Sequence, residues 1–251
     1  MEYLDLLTSV VRWFHIAAGI LFVGLNWWFG LVFNPFNLAT DMETRKKALT
    51  EMIPRALFWF RWAAMYNLLL GVTLLIIVFY AGGQMIEGQQ PWTTGSYIMV
   101  AVALLIYRVY DLAAKSPLAK DNRIFAAVGL IVVALIVYGM IEYGNFSYRA
   151  YVIHVGVMFG GIMVGNVWEK IGPTQRKLIE GLKAGTPPDP AAMGLVLQRA
   201  RHNTYLSVPL LWCMIEAHTA VPAANHWLYV IAMIALGWGV VYLAFMKANK
   251  G

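Results

Sequence analysis

Five histidines and the residues spaced around them carry whatever chemistry this chain can do. His154 lies inside the apolar run from Arg149 to Lys177, RAYVIHVGVMFGGIMVGNVWEKIGPTQRK, and Gly156, Gly160, Gly161 and Gly165 follow it. An ionisable side chain in hydrocarbon is costly, so an intramembrane histidine is read first as functional. Glycines strip one side of a helix, which lets another helix or a flat cofactor lie against its backbone. One reading makes His154 an iron ligand, with the glycines giving room to a porphyrin. The other makes it a histidine hydrogen-bonded to a neighbouring helix, with glycines serving packing alone. His15, followed by Gly19 and Gly24, loosely echoes the pattern near the N-terminus.

The elements that hold these residues follow from composition. Of 251 residues, 60% are hydrophobic and 13% charged, which indicates a single integral membrane domain over residues 1–251. Glu2 and Asp5 stand where a cleavable signal has its basic region, so Met1 is expected to begin the mature chain. The single cysteine, Cys213, excludes an internal disulfide framework, and the absence of a C-x-x-C-H motif excludes covalent haem attachment. Apolar runs at about 7–33, 57–81, 95–114, 123–143, 147–168, 204–218 and 227–246 each approach the roughly 20 residues a bilayer requires. The expected fold is therefore all-α, a polytopic bundle of about seven transmembrane helices. The sixth is short, but Asp189 and Pro190 offer an N-cap and a first-turn proline that would extend it backward through 191–201, with Pro209 kinking it. Residues 41–52 read as a short surface helix and 181–190 as a flexible turn.

Charge placement gives the orientation. Loops 34–54, 115–122 and 170–201 and the C-terminal tail collect lysine and arginine, whereas loops 82–94, 144–146 and 219–226 have none. The positive-inside rule then puts the N-terminus outside and the C-terminus in the cytoplasm. The net charge of +6 is thus a topology signal, and nucleic acid is not the expected partner.

That topology places His15 and His154 about seven or eight residues into their helices from the outer side, both roughly 10–12 Å deep. Two neutral imidazoles on facing helices at equal depth suit a six-coordinate haem b. Zinc fits less well, because no carboxylate lies at matching depth and no H-E-x-x-H motif is present. His218, at the outer end of the sixth helix, could replace either ligand, hold a second haem with His226, or serve as a proton relay. His202 is cytoplasmic. Gly19 and Gly160 would border the cofactor. Arg12 and Arg149, near the outer mouth, either pair with haem propionates or act as interface anchors. Arg108 and Asp111 can pair along their helix, and Arg61 can snorkel to the inner interface.

Several stretches together resemble the membrane domain of the bacterial membrane-bound urate oxidase (urate hydroxylase) family. They are HVGVMFGGIMVGNVWEKIGPTQRK (His154–Lys177), RHNTYLSVPLLWCMIEAH (Arg201–His218), VYDLAAKSPL (Val109–Leu118), RWFHIAAGILFVG (Arg12–Gly24) and FWFRWAAMYNLLLG (Phe58–Gly71). The resemblance implies a haem b membrane oxidoreductase in the bacterial cytoplasmic membrane. It would act in purine degradation, oxidising a small molecule, urate, to 5-hydroxyisourate and passing electrons to a cytochrome c or another respiratory redox partner. It singles out His15, His154, His202 and His218 with Asn166 and Asn203. Two departures stand out. No cytochrome c domain follows the seventh helix, so electrons are expected to leave through a separate protein. Phe58 and Ala63 stand where the resembled pattern has histidine and glutamate, which leaves open a non-catalytic cytochrome b subunit of a larger complex.

Overall fold

The computed structural model describes residues 2–219 and 227–248. Among them every regular element is helical. Continuous helices run through α1 (Tyr3–Ala39), α2 (Met42–Tyr80), α3 (Thr94–Ala113), α4 (Asn122–Glu142), α5 (Tyr148–Lys183), α6 (Pro190–Glu216) and α7 (Trp227–Ala248). All but α6 are long and apolar enough to cross a bilayer. In α6 the first half carries Arg199 and Arg201, and His202, Asn203, Thr204 and Ser207 follow them, which leaves only a short apolar stretch before Glu216. The protein is thus an all-α, multi-pass membrane protein, a class in which helices satisfy every backbone group internally.

The outside of the bundle is apolar. Leu4, Trp13, Ile20, Leu69, Leu105, Leu135, Leu236 and Leu243 are all more than half exposed. Surface of that kind is excluded from water and belongs against acyl chains. The apolar window of α5 is 78% buried, against 22–33% in the other five membrane-length helices. Of the six membrane-length helices, α5, which carries His154, is therefore the one most enclosed by protein.

Local sequence explains the helix boundaries. Asp41 accepts hydrogen bonds from the backbone N–H groups of Glu43 and Thr44, each at 3.0 Å, and so starts α2 as a side-chain cap. Those bonds, Thr44's first, hold the Asp41 carboxyl below its ordinary pKa. Residues 41–52 are consequently the first turns of a long helix rather than a separate surface helix. Asp189 caps α6 through Ala191 N–H at 3.0 Å, with Pro190 in the first turn as the sequence suggests. Helix α6 continues through Pro209, whose ring lies against Gly237, where a Cβ would come within 3.1 Å of the proline Cδ. Gly185, at φ +80°, turns the chain after α5.

By internal contacts the chain divides into two compact units. One contains the residues up to Leu74, Met163–Tyr205 and the chain from Val241; the other contains Leu75–Ile162 and Leu206–Val240. In the first, α1 packs along α2 through Phe22 and Phe29, whose rings lie 5.4 and 5.3 Å from Phe60. The Arg61 guanidinium covers the Trp168 ring at 4.4 Å. In the second, the linkers are tied down: Ser147 Oγ donates to Gln84 O, Ser96 Oγ donates to Gly144 O, and Ile86 bridges to Phe146. Asp111 pairs with Lys115 one turn on, at 2.6 Å.

Four π-helical stretches interrupt the α-helices: Trp28–Phe33, Ala48–Met52, Leu75–Tyr80 and Asn166–Ile171. Each widens the turn and re-aims the side chains beyond it, which is why such stretches recur at functional sites.

Candidate functional site

His154 is fully buried in the second unit. Its Nδ1 lies 2.7 Å from Ala150 O, one turn back on α5. A carbonyl only accepts, so Nδ1 carries the proton and Nε2 holds the lone pair. Tyr80 Oη lies 3.0 Å from that Nε2 and therefore donates to it. Tyr80 is the last residue of a π stretch, and its ring stacks on the imidazole at 27° with centroids 5.8 Å apart. Phe146 closes another side at 5.0 Å, and Trp92 stands edge-on behind Tyr80 at 5.4 Å.

His15 is built the same way within the first unit. Its Nδ1 lies 3.0 Å from Asn67 O on α2, so Nδ1–H donates and Nε2 carries the lone pair, as in His154. Gly71 makes the approach possible, since a Cβ there would come within 2.8 Å of the His15 ring. Gly19 lies against the same asparagine, with a Cβ meeting Asn67 Oδ1 at 3.1 Å.

Each histidine is thus held by Nδ1 on a backbone carbonyl and presents Nε2. That is the outer-sphere arrangement metal-ligating histidines use, because it fixes tautomer, ring orientation and basicity together. The glycines divide by role. A Cβ on Gly156 would lie 2.5 Å from Met214 and 3.1 Å from Cys213, so this glycine serves close packing of α5 on α6. A Cβ on Gly160 would make an ordinary contact with Leu210, and one on Gly161 or Gly24 would meet nothing within 4 Å. Arg149, five residues before His154, is half-buried with its Nε lacking any hydrogen-bond partner. Arg12, three residues before His15, is exposed. Taken singly, these residues are of the kinds a porphyrin uses: a histidine nitrogen with a lone pair, a glycine face without a neighbour, and a buried guanidinium nitrogen without an acceptor.

The remaining residues singled out by sequence fall elsewhere. His218 is exposed at the end of α6, and His226 lies outside the described residues. His202 adjoins the buried Arg199 in the lower half of α6. Asn166 and Asn203 are joined directly: Asn166 Nδ2 donates to Asn203 Oδ1 at 2.8 Å, and Asn203 Nδ2 donates to Met163 O at 3.1 Å. Next to them in sequence, Thr204 Oγ1 accepts from Asn26 Nδ2 at 3.3 Å. Asn26, Asn166, Asn203 and Thr204 are all buried.

Sequence reasoning missed two partners. Tyr80 is one. The other is Tyr148, which donates to Glu216 Oε1 at 2.8 Å with both side chains buried, so Glu216 is served from α5.

Searches among curated proteins and among solved structures each found no match. A family model described as urate oxidase N-terminal matches residues 41–251. The match takes in His154, His202, His218, Asn166 and Asn203 and begins beyond His15. With the match covering α2 through α7 in order, the chain belongs to the urate oxidase N-terminal family.

Proposed function

We propose that the protein is a haem b membrane oxidoreductase that oxidises urate to 5-hydroxyisourate and delivers electrons to an external cytochrome c or a comparable respiratory acceptor. The observation that carries this reading is that the family match spans the helix that holds the fully buried His154, whose Nδ1 is already committed to a carbonyl. His154 and His15 would each hold the haem iron through Nε2, the nitrogen their anchored tautomers leave basic. The bacterial cytoplasmic membrane, with the N-terminus outside, is the proposed setting.

Adding water across urate and removing two electrons gives 5-hydroxyisourate and releases two protons, so the site must export both. When bound, haem b supplies a one-electron iron couple whose potential is set by its ligands and their burial. The rest belongs to the chain. Ala150 O and Asn67 O hold the imidazoles in one tautomer. Arg149 offers its unpartnered Nε to a haem carboxylate. Tyr80 guards Nε2 of His154 and must swing its hydroxyl away before that nitrogen can ligate. Tyr80→Phe removes this competing donor and leaves the ring stack, so its haem affinity should be unchanged or higher. Removing a net hydrogen bond of about 1 kcal/mol corresponds to roughly fivefold. Haem titration of the apoprotein measures it, and a large loss of affinity would make Tyr80 a required partner rather than a competitor.

The urate assignment has its own test. Anaerobic addition of urate to the purified, oxidised protein should bring up the reduced b-type absorption bands. A spectrum that stays oxidised in excess urate, while dithionite reduces it, would remove urate as substrate and leave the haem intact.

A second reading, a cytochrome b subunit without its own substrate chemistry, is favoured by one feature. Phe58 is 55% exposed and Ala63 is buried, and neither carries a polar atom on its side chain for a substrate or its protons. That reading predicts reduction by quinol or by a partner cytochrome and by no small organic substrate.

A further inference from the structure

We propose that the cavity between α1 and α2 holds the headgroup of a phospholipid with a phosphate and a primary ammonium, the phosphate on Arg55 and the ammonium on Glu51. The cavity measures about 500 Å³ and is lined by Leu25 and Trp28 from α1 and by Glu51, Met52, Arg55 and Trp59, among others, from α2. All of it lies within one compact unit.

Its depth is that of lipid headgroups. Arg45, Lys46 and Lys47 precede the cavity on α2, and beyond it Arg61 is the last charged residue before Tyr80. On α1 the apolar run ends at Phe33, just past Trp28. Two tryptophans at the ends of adjoining spans are what the membrane interface selects, since an indole is apolar over its face and polar at its N–H. At 1.5 Å per residue Glu51 stands about 6 Å farther from the apolar core than Arg55. A phosphate linked to an outward ammonium spans a similar distance and presents its charges in that order.

The two charges are available. Glu51 and Arg55 stand four apart, a spacing at which a regular helix pairs opposite charges. Among the described residues neither forms an ion pair, with the other or with any neighbour. The π stretch Ala48–Met52 ends between them and turns the carboxylate away from its α-helical register. An anionic lipid would satisfy Arg55 and set a second negative charge against Glu51. A quinone ring would bring no cation for Glu51. A quaternary ammonium could not donate a hydrogen bond to the carboxylate. Leu25 and Met52 supply apolar wall for the glycerol and first acyl carbons.

Full-length protein in detergent is titrated with mixed micelles of dioleoyl phosphatidylethanolamine, phosphatidylcholine or phosphatidylglycerol, following the thermal midpoint and the bound lipid by native mass spectrometry. Phosphatidylethanolamine should raise the midpoint and remain bound, with the other two needing about ten times the mole fraction for the same shift. Glu51→Gln and Arg55→Gln, checked for unchanged helical circular dichroism, should each require about tenfold more phosphatidylethanolamine. Equal responses to the three lipids, preference for phosphatidylglycerol, or an unaltered phosphatidylethanolamine response in both variants would overturn the proposal. None of these readouts depends on haem or urate, so failure here leaves the oxidoreductase reading standing and the converse also holds.

Discussion

His154→Ala is expected to lower haem b per mole of purified protein by at least about tenfold, measured as the pyridine haemochrome. A factor of ten corresponds to about 1.4 kcal/mol, and loss of an iron ligand exceeds the 10- to 100-fold that loss of an outer-sphere partner alone costs. The substitution has a second consequence that must be separated from the first. It empties a fully buried site and strips Tyr80 Oη of its acceptor, which costs about 1–3 kcal/mol for an unsatisfied buried donor. Destabilisation could lower haem content by itself. His154→Gly with added imidazole distinguishes the two, because free imidazole restores a ligand nitrogen without restoring the anchored side chain. Haem content should recover with imidazole and the b-type spectrum should return. His15→Ala is expected to act likewise, and it leaves a partly exposed site, so its stability cost is smaller. Full haem retention by both alanine variants would refute the ligand assignment.

The membrane-length helices were legible because lipid imposes a single rule, about 20 apolar residues per crossing, and the described residues obey it in six places. Their ends were less legible. The second span continues backward from 57 to Met42 because Asp41 caps a polar segment into the same helix, and polarity marks exposure rather than a break. The fifth continues past 168 to Lys183, through Gly172 and Pro173, where the apolar run alone ends the span at 168. Proline breaks a helix by removing an i→i−4 bond, but Pro173 follows the π stretch Asn166–Ile171, where that pairing is already replaced.

At the site, His154 announces itself as the lone ionisable group in an apolar run, and its partners do not. Tyr80 is 74 residues distant and is aimed by a π turn that no residue pattern signals. The anchors on Ala150 and Asn67 are backbone carbonyls, identical in every residue. Gly71 was part of an apolar run, and its purpose emerges only when the His15 ring lies against it. Asn166 and Asn203 stood out through resemblance, and the hydrogen bond between them supplies the physical reason that resemblance lacked.

Asn203→Leu should therefore be the most destabilising substitution in the first unit, by about 2–5 kcal/mol, and a double-mutant cycle with Asn166 should show strong coupling. Leucine keeps the branched skeleton of asparagine and is bulkier, so none of the effect can come from a cavity. Two estimates compete. If the interaction behaves like an average hydrogen bond within a membrane bundle, at about 0.6 kcal/mol, the two bonds made by Asn203 sum to about 1.2 kcal/mol. If the amide of Asn166 and the carbonyl of Met163 instead lose partners in a space closed to water, each costs about 1–3 kcal/mol. The burial decides for the second, because Asn166 and Asn203 are both fully inaccessible and no solvent can replace the lost partner. The cycle makes the distinction measurable. Asn166→Leu combined with Asn203→Leu removes donor and acceptor together, so the pair should be less destabilised than the sum of the singles by at least about 1 kcal/mol. Thermal unfolding in detergent supplies the three differences; a single-variant cost below 1 kcal/mol with additive doubles would mean that the amides are incidental to packing.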